Sequence, residues 1–228
     1  MARCTHILLL AALFVAGCFF AGAASAQEIE EDPVLLLKTT AERFDKIRTY
    51  TCKATSITKV YRGKKESTYQ DVVQYTFQKP KHIKIKWLAP WNIKGQVAVF
   101  SDDQLKVHLN FLPLSIPIDP NGKVAQDAAG NRIYQTDMGT LIRQITDILK
   151  DDPQTIVSYE GTRQDKDRKV YKVSLHNKEG YVDVYIHTEL ILPVTVEYFS
   201  PEKKLLQAAY FEDLKVNVPM SPYEFIIE

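Results

Sequence analysis

The sequence predicts a mainly β fold of the α+β class: one large curled antiparallel sheet forming an open half-barrel, with helices in its concave face. Three observations predict it. First, Thr68 to Pro90 reads as two strands joined by a turn at Lys79-Pro80-Lys81, with Val73, Tyr75 and Phe77 alternating with Gln74, Thr76 and Gln78, and Ile83, Ile85 and Trp87 with His82, Lys84 and Lys86. Side chains on a strand repeat every two residues, so each strand has one apolar and one polar face. Second, about ten segments of this strand type follow one another along the chain, most of them joined by short turns. Third, only two segments show helical periodicity. Two helices cannot cover so many flat strands, so the sheet must curl around them, leaving an apolar cavity between sheet and helices.

Each element has its own signal. Asp32-Pro33 opens a helix that is expected to run to about Arg48: an N-cap acceptor followed by proline at the first helical position. Val34, Leu37, Ala41 and Phe44 make its apolar stripe, widened by Leu36 and Ile47. Tyr50 to Tyr61 is rich in Thr, Val, Ile and Tyr and reads as a strand, with Cys52 on the face of Tyr50, Ala54 and Val60. The Thr68 to Pro90 hairpin follows. Gln96 to Phe100 and Leu105 to Leu109 are the next strands, and they complete a five-strand meander. Phe111 to Ile118 is apolar but carries Pro113 and Pro117, which excludes a central strand. It opens a long loop, of the kind that is usually functional or mobile. Met138, Leu141, Ile142, Ile145, Ile148 and Leu149 define a second amphipathic helix, capped by Thr136 or Asp137 and stopped at Asp151-Asp152-Pro153. Five further strands are expected at Ile156 to Gly161, Lys169 to Leu175, Tyr181 to His187, Val194 to Phe199 and Leu205 to Phe211.

The first residues read as a leader and not as part of the fold. Arg3 precedes the apolar run Ile7 to Phe20, and Ala24-Ser25-Ala26 is a small-residue cleavage site. The expectation is a signal peptide over residues 1–26, cleavage after Ala26, export to the periplasm, and a single domain over 27–228. Val15-Ala16-Gly17-Cys18 offers a competing cleavage in which Cys18 is acylated and anchors the chain, although Phe19 and Phe20 follow it where a polar tether is usual. Cys4 and Cys18 fall in the leader, so the mature chain keeps Cys52 alone and has no internal disulfide. About 200 residues suffice for a core that carries the stability instead. With Arg3 removed, 28 of the 29 basic residues face 28 acidic ones. That balance argues against a nucleic-acid partner and against simple adsorption to anionic lipid.

Catalytic and metal-binding patterns are missing from the sequence. His82, His108, His176 and His187 form no H-x-x-x-H or H-E-x-x-H pair, and there is no CxxC, G-x-S-x-G or glycine-rich phosphate loop. His82, His108 and His187 fall on polar strand faces. Asp119-Pro120-Asn121-Gly122 lacks the alternating oxygens of a calcium loop and reads as a turn. Cys52 has no neighbouring histidine and reads as a buried, inert thiol. No catalytic residue, metal or cofactor is expected. Lys81, Lys84 and Lys86 read as a solvated face, or alternatively as a rim that meets anionic headgroups or an acidic partner.

The chain resembles the periplasmic outer-membrane lipoprotein carrier superfamily, the LolA/LolB-like proteins. The resemblance rests on the element order and on three segments: the hairpin Phe77 to Pro90, Val99-Phe100-Ser101-Asp102-Asp103, and Leu192 to Tyr198 taken with Phe211 to Pro219 and Phe225. It implies an unclosed β-barrel with a helical lid that shields the acyl chains of a lipoprotein, without catalysis or cofactor. It also implies an inner-membrane release complex and an outer-membrane acceptor as partners, and a monomer. The apolar faces then supply the expected cavity wall: Tyr50, Val73, Tyr75, Phe77, Ile83, Ile85, Trp87, Val99 and Val107. Leu141, Ile142 and Ile145 supply the lid. Lys79 stands where the carriers keep a lid-locking arginine, and lysine is expected not to reproduce that arginine's forked bonds to backbone carbonyls. Asp102-Asp103 stands where they have Asp-Gly, and the Phe111 to Ile133 loop does not match them. A lipoprotein sensor of the same fold, an acceptor anchored through Cys18, and packing alone for many of these apolar residues remain open alternatives.

Overall fold

The computed structural model describes residues 32–63, 65–111 and 114–227. The leader, its cleavage sites, Cys18 and Pro113 lie outside the described residues. Helix α1 (Pro33–Asp45) is followed by β1 (Thr49–Arg62), β2 (Lys65–Gln78), β3 (His82–Ala89), β4 (Val97–Ser101), β5 (Gln104–His108) and β6 (Ser115–Ile118). Helix α2 (Met138–Asp151) leads to β7 (Ile156–Asp165), β8 (Arg168–Asn177), β9 (Gly180–His187), β10 (Pro193–Phe199) and β11 (Leu205–Val216). All the strands belong to one 11-stranded sheet in the order β6-β5-β4-β3-β2-β1-β11-β10-β9-β8-β7. Every pairing is antiparallel, and β6 does not pair with β7, so the barrel is open. Among the described residues the fold is therefore mainly β with two α-helices, as the alternation patterns predict.

The topology forces the chain to cross the sheet once. Strands β1 to β6 form one half and β7 to β11 the other, and β1 pairs with β11 at the seam. The segment from β6 to β7 must pass from one outer edge to the other. It does so through two short 3-10 turns, Lys123–Ala125 and Ile133–Gln135, and α2. Asp137 ends the crossing loop and caps α2: it accepts hydrogen bonds from the Thr140 N–H and hydroxyl at 3.0 and 2.6 Å.

Three local differences from the sequence reading have physical causes. The proline-bearing run does form a strand, β6, and it lies at the edge, where Pro117 opposite Lys106 costs the ladder nothing further out. Helix α1 stops at Asp45 because the chain turns there into β1, and the Arg48 N–H is taken by the Asn217 side chain at 2.9 Å. Its inward face is centred on Leu36, Leu37, Thr40 and Phe44, which leaves Val34 49% exposed. In β4 the inner residues are Ala98 and Phe100, which pair with Ile85 and Ile83. Val99 therefore faces outward beside Lys84 and Lys106. Val-Ala-Val-Phe is apolar on both faces, so alternation alone does not fix which face looks inward.

The outward side of β3 to β5 is itself covered. The C-terminal segment packs over it, with the Lys84 ammonium donating to the Glu224 carbonyl and carboxylate, each at 3.0 Å. The His82 ring lies 5.5 Å from that of Phe225 and bonds Ser101 Oγ at 2.7 Å. Lys84 is thus committed to the chain's own C-terminal segment, and His82 is packed where the polar face predicts solvation.

Two apolar clusters fill the concave side. One gathers Phe44, Tyr50, Tyr75, Phe77, Ile83, Phe100, Met138 and Ile142; the other gathers Leu36, Leu37, Ile145, Val173, Val184 and Val196. Both helices contribute to both clusters and so tie the halves of the sheet together. The helices meet at Gly139, where a Cβ would stand 2.3 Å from Phe44 Cε1. Phe44 is buried, with its ring against those of Tyr50 and Phe77, and cannot retreat. Gly139→Ala is expected to lower unfolding stability by about 1–3 kcal/mol through overpacking, read as a lower urea midpoint at unchanged slope.

Candidate ligand cavity

The inner face of the central strands would be filled solid if every position were large. It is not. Strands β1 and β11 present Ala54, Ser56 and Ala209 there, with Ser56 directly opposite Ala209. Close packing fails over these small side chains, and a cavity of about 720 Å³ remains between them and α2. That volume falls within the roughly 300–1,000 Å³ of small-molecule sites. Val73 and Tyr75 of β2, Ile85 and Trp87 of β3 and Phe211 of β11 complete the sheet wall. Cross-strand register sets them side by side, with Val73 opposite Trp87 and Tyr75 opposite Ile85.

The helix contributes a second stripe. Met138, Ile142 and Ile145 are buried in the two apolar clusters, whereas Leu141, Gln144 and Ile148 face the cavity. The single broad stripe read from the sequence is therefore two adjacent ones with separate roles. Of the expected lid residues, Leu141 lines the hollow, while Ile142 and Ile145 hold the helix to the sheet.

Among the expected wall residues, Val73, Tyr75, Ile85 and Trp87 line the cavity. Tyr50, Phe77 and Ile83 lie in the solid cluster beneath the helices, and Val107 packs against its border. Val99 lies on the opposite side of the sheet, in a groove under Met220 and Phe225. Through Tyr75 the wall joins an aromatic stack in the core: Tyr50 lies over Tyr75 and Phe77 at ring separations of 5.8 and 5.0 Å. The Tyr50 hydroxyl accepts the Met138 N–H at 3.0 Å, which satisfies a donor at the start of α2. Burial raises the pKa of both Tyr50 and Tyr75, so both stay phenols.

Lys79 reaches two backbone carbonyls without an arginine's fork. Its ammonium donates to the carbonyls of Phe44 and Asp45 at 3.0 and 2.8 Å and lies 4.9 Å from the Phe44 ring centroid. Three N–H groups let an ammonium serve two carbonyls as separate bonds, with no planar fork required. A cation at the last carbonyls of α1 also matches the negative end of the helix dipole. Lys79 thus holds α1 to the β2–β3 turn, and α1 in turn holds α2 through Phe44 and Gly139.

Cys52 lies in the cluster beside Tyr75, and burial pushes its thiol up to about 12. It is a packing group, as the sequence suggests. Among the described residues no group of three or more His, Cys, Asp or Glu could hold a metal ion, and no helix is long and apolar enough to cross a membrane.

Sequence reasoning missed the acidic lining. Asp71, Asp127, Asp147, Asp151, Asp152 and Glu179 all border the cavity. Asp71 could have been found, because it falls two residues before Val73 on the otherwise apolar face of β2. The others come from a loop, a helix end and a turn that only the fold brings together.

No protein-family model matches the chain, and no curated protein matches it either. Solved structures do. The lipoprotein LppX from Mycobacterium tuberculosis is similar at a TM-score of 0.53 and 10% identity, over 82% of this chain and 96% of that one. At that identity the likeness shows a shared fold. An uncharacterized conserved protein from Thermus thermophilus aligns at 0.49 and 10% identity, over 88% and 92% of the two chains. A LolA superfamily protein from Nitrosomonas europaea aligns at 0.38 and 11% identity, over 84% and 97%.

Two outcomes are expected. Lys79→Met should lower stability by about 1–2 kcal/mol while Lys79→Arg largely preserves it, both read by urea unfolding. At pH 8 the Cys52 thiol should react with a disulfide reagent at least ~100-fold more slowly in the folded than in the unfolded protein.

Proposed function

We propose that the chain is an exported, non-catalytic carrier that takes the acyl chains of a lipoprotein, or of a related amphiphile, into the concave cavity for transfer to the outer membrane. The observation that carries this reading is the hollow itself. Ala54, Ser56 and Ala209 sit on the inner face of a sheet that is otherwise densely packed, and Val73, Tyr75, Ile85 and Trp87 wall the space they leave. An apolar cavity kept open in a stable core forgoes packing energy, and a bound acyl chain restores it.

The driving force is desolvation. Each acyl methylene moved out of water gains about 0.8 kcal/mol, and partial burial of the chains offsets the loss of the membrane. Helix α2 and the loop before it act as the lid. The start of α2 is fixed by Tyr50, Asp137 and Gly139, so opening turns on the C-terminal half, which carries Gln144 and Ile148 over the cavity. Export by the leader ending at Ala26 puts residues 27–228 in the periplasm as one domain. A release complex in the inner membrane loads the carrier there, and an acceptor at the outer membrane empties it.

The test is native mass spectrometry of protein purified gently from its exported fraction. A bound species releasing fatty acids on hydrolysis is expected, and Trp87→Ala should reduce its occupancy several-fold. Protein that is always empty, and that takes up no acyl chain from vesicles, would sink the proposal.

A further inference from the structure

Exposed apolar side chains gather at one end of the sheet. Antiparallel pairing puts the β1–β2, β3–β4 and β5–β6 turns there. Trp91 in the β3–β4 turn is 88% exposed, Phe111 in the β5–β6 turn 72%, and Leu114 just beyond it 50%. Tyr69, on the part of β2 that runs past the end of β3, is exposed as well. The turns at the other end of these strands, 79–81 and 102–103, carry no exposed large apolar side chain. A single exposed apolar residue needs no explanation, but a tryptophan, a phenylalanine and a leucine on neighbouring turns form a patch that does.

These turns are held by hydrogen bonds. The Gly95 N–H donates to the Trp87 carbonyl at 2.8 Å, the Trp87 N–H to the Gln96 carbonyl at 3.0 Å, and the Ile93 N–H to the Pro90 carbonyl at 3.3 Å. The Asn110 side-chain amide donates to the Lys94 carbonyl and so ties the β5–β6 turn to the β3–β4 turn. Trp91 and Phe111 are therefore held out into solvent by bonded backbone. The same turn anchors Trp87 in the cavity wall. The cavity also reaches this end of the sheet, since Thr58 near the end of β1 and Asn177 of the β8–β9 turn line it. Pairing of Thr58 with Gln207 and of Phe199 with Tyr181 puts both at the end that carries Trp91.

Charge narrows what this corner can meet. From Lys81 to Ser101 and from Gln104 to Ile118 there is no Asp or Glu. Lys86, Lys94 and Lys106 are exposed there, and none of them has an ion pair among the described residues. The acidic residues of the cavity margin, Asp151, Asp152 and Glu179, stand instead at the α2–β7 link and the β8–β9 turn. The chain as a whole is balanced, so an anionic surface attracts this corner and repels the acidic side. Size argues for lipid over protein. Two aromatic side chains of roughly 150–250 Å² each bury far less than the about 800 Å² per partner of a standard protein interface. A bilayer sets no such minimum and needs no matching pocket, and tryptophan favours its headgroup boundary.

We propose that this corner docks the protein directly on an anionic bilayer, with Trp91, Phe111 and Leu114 entering the headgroup–acyl boundary and Lys86 and Lys94 meeting lipid phosphates. The cavity mouth is then held at the lipid surface. Docking needs no filled cavity, but its use to the protein rests on the carrier reading.

Trp87 and Trp91 are the two tryptophans of the chain. Trp87→Phe therefore leaves Trp91 as the sole indole fluorophore. Vesicles of phosphatidylglycerol and phosphatidylethanolamine should shift its emission to the blue, and lipids brominated high on the acyl chain should quench it. In flotation the unaltered protein should bind these vesicles at least ~10-fold more tightly than phosphatidylcholine vesicles, with the ratio shrinking at high salt. Trp91→Ala combined with Phe111→Ala should weaken that binding at least ~10-fold, whereas Tyr223→Ala, at an exposed residue of the C-terminal segment, should not change it. Unshifted Trp91 emission, equal binding to both kinds of vesicle, or binding that survives the double substitution overturns the proposal. Binding only to membranes that retain their proteins also overturns it, since the corner would then serve a protein partner. Uptake of a monomeric fluorescent fatty acid tests the carrier reading separately. Uptake without vesicle binding overturns docking alone, and vesicle binding without uptake leaves docking standing and overturns the carrier reading.

Discussion

The pairing of β1 with β11 is the constraint on which the rest depends. It joins the first strand to the last and turns two meanders into one sheet. It is held well beyond its ladder. The Asn217 N–H donates to the Thr49 carbonyl at 2.7 Å, and the Thr49 hydroxyl to the Val218 carbonyl at 2.7 Å. Lys53 bonds Glu212 at 2.9 Å, and Lys166 reaches the same carboxylate from the β7–β8 turn. Those two ammonium groups hold the Glu212 carboxyl down to about 2. The register slips between Thr51 and Lys53, and Asp213 nearby takes a positive φ of 53°. An irregularity of this kind sharpens strand twist, so the seam also bends the sheet around its helices. Because the two strands are far apart in sequence, the contact closes a long loop, and slow folding follows.

Once the seam exists, the crossing segment has one place to go. From β6 it must traverse the concave face to reach β7, which lays α2 across the hollow. Helix α2 is therefore a structural tie on one side and a cavity wall on the next. Its core-facing residues need shape fit, as Gly139 under Phe44 illustrates. Its cavity-facing residues, Leu141, Gln144 and Ile148, are free of that demand. The same division appears along β2, where Phe77 and Tyr75 pack, Val73 borders the hollow and Asp71 meets it with a carboxylate.

Much of this was legible in the sequence, and the exceptions have reasons. The Thr68 to Pro90 hairpin declares its inner face because apolar and polar residues alternate without a break. Strand β4 hides its inner face because Val97 to Phe100 is apolar throughout, and the neighbouring strands make the choice. Pro117 told against a central place for β6, although its existence as a strand was not legible. Lys79 was found through resemblance; that its ammonium would serve two carbonyls as separate bonds was not legible, because only the fold brings the end of α1 to the β2–β3 turn. The wall residues divided into those beside the small residues of β1 and β11 and those above large ones, a distinction invisible until the register is known. The acidic lining was the least legible part, since its members are scattered from Asp71 to Glu179 and nothing local unites them.

The small residues at Ala54, Ser56 and Ala209 separate capacity from architecture. The ladder that holds β1 to β11 is made of backbone groups and does not depend on what those side chains are. Descendants of this chain can thus widen, narrow or close the hollow at three positions while the frame, its seam and its crossing helix stay as they are.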